Sequence, residues 1–143
     1  MKNFFLIGMA ALLLPACTPQ EAIVPDTYLV AETFYLTVQP RPAPAGDWQS
    51  INSGSDFYIY AEKNLPAITH SVIETGVVIA YHVGDYDNLL PYIRSYAAGS
   101  FEVIRYDIQA GKITFIIESN EASLPPIPDN YAMEFKVVVL RNR

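Results

Sequence analysis

The stretch SFEVIRYDIQAGKITFIIES, residues 100–119, limits what this chain can fold into more than any other. Ile104, Tyr106 and Ile108 recur at every second position, and Ile113, Phe115 and Ile117 do so again after QAGK. A period of two places each set on one face of an extended strand, whereas a helix needs apolar residues three and four apart. Gly111, between the two stripes, can take the positive φ of a short hairpin turn.

The same period recurs along the chain. TYLVAETFYLTV (Thr27–Val38) places Tyr28, Val30, Phe34, Leu36 and Val38 on one face, with Glu32 interrupting the stripe. FYIYAE (Phe57–Glu62) reads as a strand, and Val77–Val83 reads as one with Val77, Ile79, Tyr81 and Val83 on a common side and Gly76 at a turn or bulge before it. YAMEFKVVVL (Tyr131–Leu140) is a closing strand that presents Tyr131, Met133, Phe135, Val137 and Val139; its opposite face passes from Glu134 and Lys136 to Val138 and Leu140. NLLPYIRSYAA (Asn88–Ala98) is read as a strand, Pro91 being unsuited to a helix interior. QPRPAPAGD (Gln39–Asp47) and SLPPIPDN (Ser123–Asn130) are proline-rich loops. About seven strands with turns between them predict an all-β chain, a single antiparallel β-sandwich of immunoglobulin-like general architecture.

MKNFFLIGMAALLLPAC has the parts of a secretory signal: Lys2, an apolar run from Phe4 to Leu14, and the small residue Ala16 before the cut. As a helix the run from Phe4 to Ala16 would reach about 20 Å, short of the ~30 Å hydrocarbon core of a bilayer. Leu14-Pro15-Ala16-Cys17 resembles a bacterial lipobox, matched at Leu14, Ala16 and Cys17. The resemblance implies a diacylglyceryl group on the Cys17 thiol, cleavage between Ala16 and Cys17, and acylation (palmitate in type) of the new amine. Several acyl chains hold a protein to a membrane where one does so only marginally. The resulting division is a removed signal peptide at 1–16, lipidated Cys17 with a short tether through residue 26, and the sandwich at 27–143. Cys17 is the only cysteine, so no internal disulfide is available. Thr18 follows it where an inner-membrane retention signal would place aspartate, which points to the outer membrane, with the periplasmic and the surface face both open.

A second resemblance covers most of Asp47–Leu140. Ile68, Thr69, Val72, Gly76, Val78 and Tyr81, then Leu90-Pro91-Tyr92, then Phe135–Val139 are similar to segments of small envelope lipoproteins of Bacteroidetes-type bacteria. That family has no settled function, so the resemblance implies fold class and location only.

Hydrophobic residues make up 51% of the 143 and charged residues 17%, which is the balance of a core-burying chain. The formal net charge is −6 with no basic cluster, which excludes nucleic acid as a partner class. His70, His82, Asp85, Asp87, Glu62 and Glu74 lack metal-ligand spacing, and GDYDN (Gly84–Asn88) reads as a turn and not a calcium loop. No metal or cofactor is implied. There is no nucleophile motif, and His82, opposite Tyr81, reads as a sheet-surface residue. Ten tyrosines and one tryptophan are the remaining signal. Alternation gives Tyr81 and Tyr106 to the core, leaving Trp48, Tyr86, Tyr92 and Tyr96 as the candidate binding surface. The expected function is a lipid-anchored, non-catalytic envelope module that binds a glycan or an envelope protein. The alternatives are a structural or accessory subunit of an envelope or fimbria-like assembly and, behind it, a hydrolase of envelope polymers.

Overall fold

The computed structural model describes residues 28–40, 46–53, 56–96, 99–120 and 132–142. The expectations for residues 1–27, Ala16 and Cys17 among them, for Tyr131, and for the loop stretches 41–45 and 121–131 lie outside the described residues. The elements run β1 (Leu29–Val38), β2 (Gln49–Ser53), β3 (Asp56–Asn64), α1 (His70–Thr75), β4 (Val77–Val83), β5 (Asn88–Leu89), β6 (Tyr92–Ser95), β7 (Phe101–Gln109), β8 (Lys112–Ser119) and β9 (Met133–Asn142).

The strands form two antiparallel sheets, a four-stranded one in the order β1-β9-β4-β5 and a five-stranded one in the order β2-β3-β8-β7-β6. The described residues hold nine strands where about seven were expected. The 88–98 stretch is extended as anticipated, but it divides at the cis Leu90–Pro91 bond into β5 and β6, one in each sheet. β2 went unseen because QSINS carries no apolar alternation.

The core lies between the sheets. Ile104, Ile113, Phe115 and Ile117 are fully buried, as their stripes anticipate, and Met133, Phe135, Val137 and Val139 face them from β9. Phe115 of β8 and Phe135 of β9 stack with ring centroids 3.8 Å apart and planes 11° from parallel. β8 and β9 are interior strands of their sheets, so this pair joins the two layers at mid-sandwich. Full burial of each such side chain contributes roughly 1.5–3 kcal/mol relative to exposure.

Two connections hold the ends of the layers together. Gly111, at φ +82°, turns β7 into β8. Its carbonyl accepts from the Leu65 N–H at 2.7 Å and its N–H donates to the Ile68 carbonyl at 2.7 Å, which pins the segment after β3 onto the hairpin. There α1 begins, capped by Thr69, whose Oγ1 accepts from the Val72 N–H at 3.2 Å. This helix was not anticipated; of the turn or bulge expected at Gly76, the structure has the turn, Gly76 being the helix C-cap that leads into β4. A Cβ on Gly76 would lie 2.5 Å from the Leu140 carbonyl oxygen, so glycine lets the end of α1 lie directly against β9.

Candidate functional site

β4 has apolar residues on both faces, and the structure inverts the phase read from its sequence. Ala80 is fully buried, and Val78 packs against the core. His82 lies on the same side, its ring centroid 5.7 Å from that of Phe135. Burial holds the His82 imidazole below the usual histidine range, and the Arg94 charge acts in the same direction. His82 is therefore a core-facing residue, not a sheet-surface one. Tyr81, assigned to the core by alternation, faces outward under Lys136, whose Nζ sits 4.7 Å from the ring centroid. Both errors have one cause: two apolar faces give alternation no contrast by which to set the phase.

The outward side of the four-stranded sheet follows from register. Ala31, Leu140 and Val77 form one row across β1, β9 and β4, and Thr33, Val138 and Ile79 form the next. Tyr35, Lys136, Tyr81 and Leu89 continue the series across all four strands. Leu29, Tyr35, Val77 and Leu89 are 69%, 62%, 50% and 55% exposed. The charges on this face are Lys136 and Glu134, and Lys136 is ion-paired to Asp87 at its rim. Antiparallel sheets ordinarily turn a polar face to water, and contiguous apolar surface of this kind marks contact with another molecule. The outer face of the five-stranded sheet is more mixed: Ile93 and Phe101 are exposed on it, but ion pairs lie among its apolar residues. Arg105 pairs there with Glu118 at 2.7 Å and with Asp107 at 2.9 Å, and Lys112 pairs with Glu62 at 2.7 Å.

The candidate aromatics do not assemble into one surface. Trp48 is fully buried, which corrects its assignment to a binding surface. It immediately precedes β2 and joins the core cluster, where the large apolar area of an indole gains most. Tyr92 is also corrected: it is half-buried and packs against the core from β6. Tyr86, in the β4–β5 turn, is 83% exposed, and Tyr96, after β6, is 45% exposed. Among the described residues no ring contact joins Tyr86 to Tyr96. The sequence did carry a signal for the surface that does form, in the second apolar face of β4 and the passage from Lys136 to Val138 and Leu140 on β9.

One buried polar cluster lies elsewhere. Glu102 of β7 is 2% exposed, and its Oε2 accepts from Arg94 Nη2 at 2.5 Å and from the Tyr96 hydroxyl at 2.7 Å. Burial and the bond to Glu102 push the Tyr96 phenol up to about 12. With both donors on one oxygen, this is a clasp between β6 and β7. Among the described residues no group of three or more His, Cys, Asp or Glu side chains could hold a metal ion. No helix among them is long and apolar enough to cross a membrane. Compared with protein-family models, curated proteins and solved structures, the chain matches none.

Proposed function

We propose that this chain is a lipid-anchored envelope protein, held to the outer membrane through Cys17, whose β-sandwich is a non-catalytic interaction module. The observation that carries the reading is the apolar outer face of the four-stranded sheet, with the Tyr35–Lys136–Tyr81–Leu89 row at its centre. Two tyrosines among Leu, Val and Ile favour an envelope protein as the partner over a glycan, whose hydroxyls ask for more polar groups beside the rings. The lipobox-like LPAC and the short tether support the location, since a sandwich tied so near the bilayer meets other envelope components first.

Two measurements test it. The mass of the mature N-terminal peptide should show a diacylglyceryl thioether on Cys17; an unmodified thiol there ends the anchoring claim. A photo-crosslinking residue at Tyr35 should capture a defined envelope protein in intact membranes, and one at Gln109, an exposed position on the other sheet, should not. Equal labelling from both positions, or none from Tyr35, would end the claim about this face.

A further inference from the structure

β1 is an edge strand, and it is unlike the other edges of the sandwich. β2, β5 and β6 are 5, 2 and 4 residues long, whereas β1 has 10 residues. Its register with β9 runs unbroken from Leu29↔Asn142 to Val38↔Met133, with no bulge. No residue of β1 has a backbone hydrogen-bond partner on its far side among the described residues. Natural edges are blunted by shortness, proline, lysine, bulges or an inward charge. LVAETFYLTV has no proline and no lysine, and its inward charge, Glu32, is already paired with Arg141 of β9.

Among the stretches outside the described residues, the proline content of three argues against their pairing with this edge. RPAPA at 41–45 and the 121–131 stretch with Pro125, Pro126 and Pro128 lack the N–H donors that a ten-residue ladder needs. Between Pro19 and Pro25 the tether offers only QEAIV.

We propose that the occupant is a second copy of this chain, β1 pairing with β1 antiparallel about Thr33. The strand is complementary to itself in that register. Thr33 meets Thr33, Tyr35 meets the small Ala31, and Leu29 meets Thr37 on the outer side, while Val30 meets Leu36 on the inner side. Glu32 meets Phe34, not its own copy, and Arg141 keeps it neutralised. The pairing stops short of the fully buried Val38. A two-fold contact of this kind closes on itself, so assembly ends at the dimer. The dyad of an antiparallel pair stands perpendicular to the sheet, so the outer faces of both copies point the same way and form one eight-stranded surface. This inference takes residues 1–16 as removed, as the proposed function does, but does not need lipid on Cys17.

The test is sedimentation equilibrium of the purified full chain in density-matched detergent, beside its Thr33→Lys and Thr33→Glu variants. Thr33 is exposed, so both variants should keep the parent's thermal transition. The parent should dimerise, and each variant alone should do so about fivefold more weakly, because like charges then oppose each other across the dyad. An equimolar mixture of the two should recover at least the parent's association. A Thr33→Cys chain should cross-link through position 33 on oxidation, a bond that peptide mapping tells apart from any formed by Cys17. A monomeric parent at all concentrations overturns the proposal, whether the edge is then left open or taken by another protein's strand. So does self-association that neither charge disturbs.

Discussion

Tyr106→Phe is the most informative single substitution in the sandwich. Tyr106 belongs to β7 in the five-stranded sheet, yet its hydroxyl donates to the Val78 carbonyl of β4, in the other sheet, at 2.8 Å. The Ala80 carbonyl accepts from Leu90 N–H at 2.9 Å, so the β4 backbone at Ala80 turns away from β9 and toward β5. Val78, two residues earlier, turns the same way, but β5 pairs only with Tyr81 and His82 and does not reach it. The phenol therefore serves where a neighbouring strand is missing. Removing it forfeits a hydrogen bond worth about 1 kcal/mol net and leaves a half-buried carbonyl partnerless, for a total of about 1–2 kcal/mol. For a domain of this size that lowers Tm by roughly 3–8 °C. Urea and thermal unfolding of the parent and variant measure it directly. Tyr60→Phe is the control: its hydroxyl donates to Gln49 Oε1 at 2.7 Å on the exposed side of one sheet, and its loss should cost no more than about 0.5 kcal/mol. Equal costs for the two variants would refute the claim that Tyr106 completes an open edge. An alkaline signature accompanies it. Burial raises the Tyr106 phenol above its ordinary value despite a backbone hydrogen bond from Ala80 that lowers it. The folded state thus holds that proton longer than the unfolded one, so this stabilisation is intact below pH ~10 and lost as pH rises through the folded value. The variant should show a shallower alkaline decline.

Gly76→Ala should destabilise by about 1–3 kcal/mol, because its Cβ meets the carbonyl oxygens of Leu140 at 2.5 Å and Val72 at 2.9 Å, both of them backbone. Gly84→Ala, whose nearest atom would lie 3.7 Å away, should leave the same thermal melt nearly unchanged. Burial depresses the His82 pKa, so the unfolded chain takes up that proton first as pH falls below about 6.5. Stability should fall with pH there, and His82→Phe should flatten the slope in pH-dependent urea titrations. Glu102→Gln leaves Arg94 without its carboxylate; with Arg94 28% exposed, the cost should be about 2 kcal/mol, below that of a fully buried pair. The Tyr96 phenol should then titrate nearer its ordinary value, read from tyrosinate absorbance.

The elements that sequence could identify share one property, a contrast between two faces. In β7 and β8 the inward Ile104, Tyr106, Ile108, Ile113 and Phe115 oppose Arg105, Asp107 and Lys112, and alternation alone assigns the core. In β4 both faces are apolar, so its phase is fixed only by the pairing with β9 and β5, which a single strand's sequence does not show. Trp48 shows a related failure: a lone aromatic in loop-like sequence has no period to place it, and only the assembled layers reveal the space it fills. α1, at six residues, is shorter than the window in which a 3.6-residue period can be detected. Its cap residues Thr69 and Gly76 were the available signal. The apolar outer face was half-legible, in Val138 and Leu140, but its extent depends on which strands flank β9.

Among the described residues β9 is the last strand, and it lies between β1, the first, and β4. Leu29 pairs with Asn142 across almost the whole described sequence. The five-stranded sheet is built largely from neighbours in sequence, through the β2–β3, β6–β7 and β7–β8 pairs. A chain that emerges N-terminus first can therefore assemble much of that sheet while β1 still waits, with both of its edges open. Long-range closure of this kind is slow and leaves strands exposed in the interval. Truncation before Met133 would remove more than a terminal strand. It would separate β1 from β4 and β5 and strip the five-stranded sheet of the layer that buries its apolar side.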